Sequence, residues 1–440
     1  MHHDDCLLIN KIDKILKNYK NILVSFSGGL DSTVLLHVLM ILCKKKNTKY
    51  NIRALHVNHN ISNKSDLWMI HCQKICLKWN IPFFVKKIFI QSLDKGLEDA
   101  ARKKRYQSIL ETLLPNEIVV TGQHLDDQAE TFFLALKRGS GPKGLSSMSI
   151  ISPFFFTFLI RPLLTFNRIS LKKYAIRQKL FWIEDDTNQD EKYERNFLRS
   201  KIFSVLNKRW PYFSQSIFKS SKMCAEQEKL LDELLYTDFI RTITQEGSLL
   251  VEKLIVYSKI KRNAILRKWF RFYNLLMPSQ IQLEKIFQNV ICAKINSDPI
   301  FHISHIYEIR RFKKQLWILK RFKNLANIVL EWNINKSLIL PDQIGIITTS
   351  NSGFSFRTPL YTEKVTVRFG LKGFIKIMNS KKLISSKKIW KKFNIYPWLR
   401  DRIPLLYYNE ILIGGIGLFI TESGKCIDKK SKLTLNFIKN

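Results

Sequence analysis

The sequence has few acidic residues, and this shortage sets its charge. Of 440 residues, 36 are Asp or Glu and 73 are Lys or Arg, which gives a formal net charge of +37. A positive charge of this size cannot be buried, so it lies on the surface. It favours a polyanionic partner, and RNA or DNA is preferred over a membrane. Lys, Asn, Ile and Phe are also abundant, however. A genome rich in A and T would explain a large share of the Lys count without any function.

Cysteine is scarce and has no ordered spacing. The seven cysteines are odd in number and scattered, which excludes a disulfide framework and a zinc ribbon. Cys72 and Cys76 lie four apart in HCQKIC, a spacing that places both on one helix face. Such a pair can bind a metal, but a half-buried helix face is the stronger interpretation. Unpaired thiols predict a reducing, cytoplasmic location.

The sequence also lacks a long apolar run. The longest, ISPFFFTFLI, contains Pro153 and falls short of the ~20 residues that span a bilayer. The polar N-terminus has no signal-peptide pattern. Since 45% of the residues are hydrophobic, we expect a folded protein with no membrane partner. The oligomeric state stays open, and a dimer is one option.

Strand-like and helix-like segments alternate over the first half of the chain. The predicted strands are NILVSF, NIRALHV, PFFVKKIFI and EIVVTG. The predicted helices cover residues 31–43 and the segments SDLWMIHCQKICLKWN, GLEDAARKKRYQSILETLL and DDQAETFFLALKRG. This order predicts an α/β fold, a parallel sheet with helices on both faces and right-handed crossovers. In such sheets the functional groups gather at the carboxyl ends of the strands.

The alternation stops near Trp210, and the pattern changes again near residue 334. Two long amphipathic segments predict helices in the middle of the chain. Short strands separated by turn residues follow them. We therefore predict a catalytic α/β domain over residues 1–212, a helical domain over 213–333 and a small mixed α+β domain over 334–440.

A glycine pair in this glycine-poor chain follows the first predicted strand, in the motif SGGLDS. Glycines at a strand-to-helix turn permit close backbone approach, and the helix N-terminus attracts an anion. The phosphate cradle predicted here comprises Ser27, Gly28, Gly29, Leu30 and Ser32. The Walker A lysine is missing, and Asp31 stands beside the phosphates, so a Mg²⁺ ion is expected between them. Alternatively, the segment is a simple turn with a helix cap.

A second cluster of polar residues follows the fourth predicted strand, in HLDDQAET. It contains His124, Asp126, Asp127 and Glu130, and the last two share a helix face. Carboxylates at this strand end can complete a Mg²⁺ site, and we predict Asp31 and Asp126 as its ligands. The alternative is an acidic first turn that complements the helix dipole.

Basic and aromatic residues alternate in the C-terminal segment SSKKIWKKFNIYPWLRDR. Such interleaving suits an RNA backbone and its unstacked bases. Trp390, Lys391, Arg400 and Arg402 are the candidates. The alternative is an ordinary basic domain with an aromatic core, and for Trp398 the core is a natural place.

The motif SGGLDS resembles the PP-loop of the ATP pyrophosphatases, which split ATP between the α and β phosphates and adenylate an oxygen. HLDDQAET, AARKKRY, YERNFLR and PWLRDRIPLLYY resemble segments of one branch, the tRNA(Ile)-lysidine synthetases. Gln123 stands where that branch has a His. The resemblance covers most of the chain and is weak only in its middle. It implies an adenine nucleotide alpha-hydrolase-like fold, with nucleotide binding in the first domain and tRNA binding in the last.

The resemblance further implies an activity. ATP, with Mg²⁺, adenylates the C2 oxygen of the wobble cytidine in the CAU anticodon of tRNA(Ile), and free L-lysine then attacks C2. Asp31, Asp126, Asp127 and Arg195 are implied as catalytic, with Asp127 next to the lysine ammonium. His59 and Arg102 are implied as nucleotide contacts, and Arg138 and Arg199 as RNA contacts.

Two other functions stay open. A PP-loop enzyme that thiolates tRNA would share the first motif, but such enzymes carry cysteine pairs near the loop or after the fourth strand. Residues 119–138 contain no cysteine. An RNA-binding protein with a dead nucleotide site is less compatible with the intact loop and acid cluster.

Overall fold

A computed structural model of the chain describes residues 2–44, 50–58, 64–88, 97–184, 192–294, 297–380, 382–426 and 432–439. The chain divides into two compact units, residues 1–233 and 234–440. The domain boundaries predicted from the sequence stay a prediction. His59, the predicted nucleotide contact, lies outside the described residues.

The first unit is built on a six-stranded sheet. Its strands are β1 (Asn21–Ser25), β2 (Asn51–Asn58), β3 (Phe83–Lys87), β4 (Glu117–Val120), β5 (Ile151–Phe154) and β6 (Thr157–Ile160). Their order is β3-β2-β1-β4-β6-β5, with β5 antiparallel to β6 and the other pairs parallel. The four predicted strands are confirmed, and the β5–β6 hairpin is an addition. Because β1 and β4 are neighbours, the loops that follow them lie side by side.

Helices cover both faces of this sheet. The helices described in this unit are α1 (His3–Leu16), α2 (Leu30–Lys44), α3 (Ser65–Lys78), α4 (Leu97–Thr112), α5 (Leu125–Lys137), α6 (Pro142–Leu145), α7 (Arg168–Arg177), α8 (Glu194–Phe197), α9 (Ser204–Arg209) and α10 (Phe213–Leu234). Successive residues of a strand face opposite sides, so Val24 of β1 packs in the larger core and Leu23 in the smaller one. The prediction of helices on both faces of the sheet is therefore confirmed.

The second unit begins with helices and a small antiparallel sheet. These elements are α11 (Tyr236–Thr242), β7 (Leu249–Leu250), α12 (Val251–Val256), α13 (Lys259–Phe272), α14 (Gln280–Ile286), β8 (Ile300–His302), β9 (Tyr307–Phe312) and β10 (Gln315–Lys320). The strands pair in the order β7-β10-β9-β8. Amphipathic helices were predicted here, whereas this sheet was not.

The rest of the second unit is rich in strands, as predicted. It contains β11 (Val329–Glu331), β12 (Leu338–Ile339), β13 (Gly345–Arg357), β14 (Val365–Arg368), β15 (Phe374–Ile375), β16 (Ile384–Ser385), α15 (Ser386–Lys392), β17 (Leu405–Tyr408), β18 (Ile411–Gly415), β19 (Phe419–Ile420) and β20 (Lys432–Lys439). The strands form a five-stranded, a three-stranded and a two-stranded sheet. Across the described parts of both units, no helix combines the length and apolar content needed to cross a membrane.

Candidate active site

The loop between β1 and α2 depends on glycine at position 28. Gly28 has a φ of +80°, in the left-handed region. A Cβ atom there would lie 2.7 Å from the Sγ atom of Cys72 on α3. The backbone carbonyl of Gly28 accepts a hydrogen bond from the Ile183 N–H at 2.9 Å. Both the conformation and the close approach therefore require glycine.

Two serines hold this loop against the start of α2. The Ser32 hydroxyl donates to the Gly29 carbonyl at 3.1 Å, and the Gly29 N–H points to the Ser27 hydroxyl at 3.4 Å. The Ser27 and Ser32 hydroxyl oxygens are 3.0 Å apart. The loop thus wraps the N-terminus of a fifteen-residue helix, where free N–H groups and the helix dipole attract an anion.

The first turn of α5 brings a histidine close to two carboxylates. His124 is the N-cap residue: its Nδ1 accepts from the Asp126 N–H at 3.2 Å, while Asp127 Oδ2 accepts from the His124 N–H at 3.0 Å. The His124 Nε2 atom lies 3.6 Å from Asp31 Oδ2 and 3.5 Å from Asp127 Oδ2. Because Nδ1 accepts, neutral His124 carries its proton on Nε2, between the two carboxylates. The imidazole is only 3% exposed.

Gly122 makes this juxtaposition possible, and sequence analysis missed it. It lies just after β4, and a Cβ there would be 3.0 Å from the Ser32 nitrogen and 3.1 Å from the Asp31 carbonyl carbon. Only the absence of a side chain lets the two loops approach so closely. The signal was present, since a glycine after a predicted strand marks a close backbone approach.

Asp126, predicted as a metal ligand together with Asp31, binds groups of two later helices, and its role as a ligand stays a prediction. Its Oδ2 accepts from the Arg168 N–H at 2.9 Å, and its Oδ1 accepts from the Ser214 hydroxyl at 3.0 Å. Both oxygens are therefore engaged with α7 and α10. Of the two acids, Asp127 lines the cleft beside Asp31. These contacts agree with the alternative interpretation of this segment, in which the acidic residues of the first helical turn have a structural role.

Glu130 binds Arg195, which the family resemblance implies as catalytic, and Arg199, which it implies as an RNA contact. It is fully buried and accepts from Arg195 Nη1 at 3.3 Å and from Arg199 Nη2 at 3.0 Å, with a further bond from Arg199 Nε. Arg199 Nη2 also donates to Asp127 Oδ1 at 2.9 Å. Arg199 lies in a π-helical stretch, Leu198–Phe203, an irregularity frequent at functional sites.

The environment shifts the pKa values of the neighbouring carboxyls in opposite directions. Burial raises the pKa of Asp31, and the charge of Asp127 adds to this against the opposing effect of His124. Burial also acts to raise the pKa of Asp127, but His124 and Arg199 outweigh it and lower that pKa. Divergent carboxyl pKa values in one cleft are typical of sites that divide acid, base or cation-binding roles.

The donor set at Asp31 fits Mg²⁺. The Asp31 Oδ1 atom is buried and has no hydrogen-bond partner among the described residues. No group of three His, Cys, Asp or Glu side chains in the described ranges could hold a metal by itself. Mg²⁺ commonly uses one or two carboxylates and takes its other ligands from phosphates and water. One free carboxylate oxygen beside an anion-binding loop matches that preference.

These groups line one cleft of about 470 Å³ in the first unit, a volume in the usual range for small-molecule sites. The loop serines Ser27 and Ser32 form one wall, and Asp127, Arg195 and Arg199 form another. The predicted nucleotide contact Arg102 lines the cleft from α4. No cysteine lines it among the described residues.

The predicted RNA contacts are divided between surface and core. Arg138 at the C-terminal end of α5 and Lys391 on α15 are exposed. Trp390 is only 4% exposed and packs with Ile375 and Leu405, so it cannot stack on a base. A core tryptophan and an RNA-stacking tryptophan look alike between lysines, so the sequence pattern alone does not separate the two.

The two C-terminal arginines are engaged within the second unit. Arg402 Nη1 lies 2.6 Å from Asp342 Oδ2, and the guanidinium carbon is 4.3 Å from the centroid of the Phe322 ring. The half-buried Arg400 donates from Nε to the Ile395 carbonyl at 3.4 Å. Trp398 is buried and stacks on Tyr396 with a ring separation of 5.0 Å, as the core interpretation predicted. Arg402 is therefore held in place by contacts within the second unit, and its RNA-binding role stays a prediction.

Family models match three parts of the chain. A PP-loop domain covers residues 6–206, a TilS substrate binding domain covers 249–317 and a TilS substrate C-terminal domain covers 365–437. Curated relatives match along the whole length. The tRNA(Ile)-lysidine synthase of Photorhabdus laumondii is 45% identical over 100% of this chain and 99% of its own. That of Proteus mirabilis is 44% identical over 98% of both chains.

Solved structures give weaker matches. The U34-tRNA thiolase NcsA from Methanococcus maripaludis has a TM-score of 0.42 at 21% identity and covers 51% of this chain and 79% of its own. A TILS C-terminal domain has a TM-score of 0.22 at 16% identity and covers 26% of this chain and 98% of its own.

Proposed function

The chain belongs to the tRNA(Ile)-lysidine synthase family, and we propose from this premise how its cleft carries out the reaction. The enzyme is an ATP-using ligase that forms lysidine at the wobble cytidine of the CAU anticodon of tRNA(Ile). The observation that carries the proposal is the cleft, which unites an anion-binding loop, two carboxylates of opposite pKa shift and two arginines.

The proposed reaction has two steps, adenylation of the cytidine and attack by lysine. The C2 oxygen of the cytidine attacks the α-phosphorus of ATP, the α–β bridging bond breaks, and diphosphate leaves. The lysine ε-amine then attacks C2 and loses a proton, while the C–O bond breaks and AMP leaves with the former C2 oxygen. Adenylation is needed because a carbonyl oxygen is a poor leaving group and an adenylate is a good one.

The cleft supplies charge for the first step. The N–H groups at the start of α2 and the serines Ser27 and Ser32 support phosphate binding. Arg199, held by Glu130, presents fixed positive charge where phosphate charge develops. Mg²⁺, when bound at Asp31, would neutralise phosphate charge. The open Oδ1 atom of Asp31 supports this role.

Asp127 is suited to bind the lysine ammonium in the second step. Its lowered pKa keeps it ionised near neutrality, and it lines the same cleft as the phosphate loop. His124 and Arg199 fix both of its oxygens in place. An ionised, positioned carboxylate attracts an ammonium and brings the amine close to the adenylated base.

The test is transfer of radiolabelled lysine to a CAU-anticodon tRNA(Ile) by the purified chain with ATP and Mg²⁺. We expect transfer that depends on ATP and produces AMP, with tRNA(Met), which shares the anticodon triplet, as a competitor and control acceptor. A C2-¹⁸O cytidine at the wobble position should give ¹⁸O-labelled AMP. No lysine transfer, or ¹⁸O retained in the tRNA, would refute the proposal.

A tRNA-thiolating enzyme is the second candidate function, and the same lysine-transfer assay distinguishes it from lysidine formation. That activity would place sulfur on the tRNA without consuming lysine. The cleft offers no cysteine among the described residues, and burial raises the pKa of both Cys72 and Cys76 on α3. A raised pKa keeps these thiols neutral and poorly nucleophilic.

A further inference from the structure

An exposed aromatic hairpin lies next to the active-site cleft. Phe155 and Phe156 form the turn between β5 and β6, and each is 71% exposed. Between this hairpin and α4 runs a groove of about 780 Å³, which we call the phenylalanine groove. Its walls include Arg102, Lys103 and Tyr106 on one side and Phe154 and Phe155 on the other. Large exposed aromatic side chains beside cations indicate an interaction surface.

The groove is built on fixed side chains. Tyr106 and the buried Phe154 pack with ring centroids 5.6 Å apart, and Phe155 stands edge-on to Phe154 at 5.1 Å and 86°. The buried Arg161 donates from Nη1 to the Ser149 carbonyl at 2.9 Å and lies 3.0 Å from the Ser152 hydroxyl. These contacts hold the hairpin and turn the Phe155 ring into a prepositioned platform.

Only one of the two phenylalanines of the turn belongs to the groove. Phe155 lines it, whereas Phe156 is outside its lining although it has the same exposure. The two side chains are adjacent in the sequence and share one turn. The chain therefore offers a matched pair of residues that separates a specific contact from general hydrophobicity.

The groove and the cleft share part of a wall. Arg102 and Tyr106 line both of them. A polynucleotide that inserts one nucleotide into the cleft must carry the next nucleotides past this shared wall. Basic side chains attract its phosphates, and an aromatic face accepts a splayed base.

We propose that the phenylalanine groove binds an unpaired base next to the modified cytidine, with Phe155 as the stacking surface. This inference rests on the proposed function and adds a substrate contact to it. A lipid surface is the competing partner, but insertion into lipid would use both phenylalanines of the turn and would not require a groove that shares a wall with the cleft.

The experiment measures binding of the full-length protein to an RNA stem-loop with the CAU anticodon. Phe155→Ala should weaken binding by about five- to a hundred-fold, as expected when one stacked base loses its platform. Phe156→Ala should change the affinity by less than about threefold, as surface substitutions usually do. Phe155→Trp should keep wild-type affinity. Circular dichroism and KM for ATP should be unchanged in all three variants.

An abasic scan then locates the stacked nucleotide. With an abasic residue at the correct loop position, Phe155→Ala should cause no further loss of affinity. Equal affinity of wild-type protein and Phe155→Ala, or an equal loss in Phe155→Ala and Phe156→Ala, would overturn the proposal. So would loss of binding to phosphatidylglycerol vesicles in both variants with unchanged RNA affinity. Lysine transfer by the wild-type protein distinguishes these outcomes from failure of the proposed function.

Discussion

Replacement of Gly28 by alanine should disrupt the nucleotide loop, and the second substitution Cys72→Ala should restore part of the lost activity. The residue has a φ of +80°, where a residue with a Cβ is disfavoured by about 1–2 kcal/mol. The added Cβ would also lie 2.7 Å from Cys72 Sγ, against the 3.4 Å at which ordinary contact begins. The loop or α3 must therefore move by several tenths of an ångström.

The substitution Gly28→Ala should affect mainly the catalytic rate. A displacement approaching 1 Å at a catalytic site can reduce the rate by about a hundredfold, so we expect kcat/KM for ATP to fall by about that factor in Gly28→Ala. Cys72→Ala removes the sulfur that the new methyl group meets. The double variant should recover about tenfold, equivalent to ~1.4 kcal/mol. It should not recover fully because the backbone strain remains.

The assay is ATP- and lysine-dependent labelling of tRNA, measured for wild type, both single variants and the double variant. Cys72→Ala alone should lose no more than about 1 kcal/mol of stability, since it removes one buried group. Wild-type activity in Gly28→Ala would show that the loop tolerates a side chain. A double variant no better than Gly28→Ala would show that the sulfur contact is irrelevant. Either result refutes the reasoning.

Three further predictions concern charge and packing. Asp31→Asn should abolish lysine transfer but leave tRNA binding intact. Because the raised pKa of Asp31 makes its ionisation unfavourable in the folded state, the same variant without Mg²⁺ should melt at a higher temperature than wild type at pH 7. This gain should vanish as the pH falls below the ordinary carboxyl pKa of ~4, and a gain that persists at low pH would contradict the assignment. Glu130→Ala leaves two guanidiniums without their buried partner and should lower the free energy of unfolding by about 3–5 kcal/mol in urea titrations. Unchanged stability would show that the pair is not a structural anchor. Trp390→Ala should destabilise the second unit by about 3–5 kcal/mol, with a smaller loss for Trp390→Phe, whereas an RNA-stacking role predicts reduced RNA affinity at unchanged stability.

Local patterns predicted the first unit well because its strands are short, apolar and separated by turn residues. SGGLDS alone located the phosphate loop, since its chemistry is contained in consecutive residues. The β7–β10 sheet of the second unit was missed because β7 and β8 have only two and three residues and β10 buries three consecutive residues, Leu316, Trp317 and Ile318. Half-buried strands of this kind show little alternation of polar and apolar residues.

Tertiary contacts determine what the sequence left open at the site. Asp126 and Asp127 are neighbours in one helical turn, and the choice between them depends on Ser214 and Arg168, which lie far along the chain. The burial of Trp390 depends on packing against β15 and β17, which no local pattern reveals. The sequence could indicate the number of acids near the loop but not their directions.

The capping box of α5 carries a consequence for protein engineering. His124 and Asp127 occupy positions where Ser or Thr, paired with Glu, are the more stabilising choices for a helix start. A stability-guided redesign would therefore replace both residues and would register a gain in melting temperature. It would also remove the imidazole whose Nε2 atom lies 3.6 Å from Asp31 Oδ2 and the carboxylate that lines the cleft together with Asp31. Thermal stability is thus a misleading criterion for selecting variants at this helix end, where the proposed function needs residues that are not the most stabilising ones.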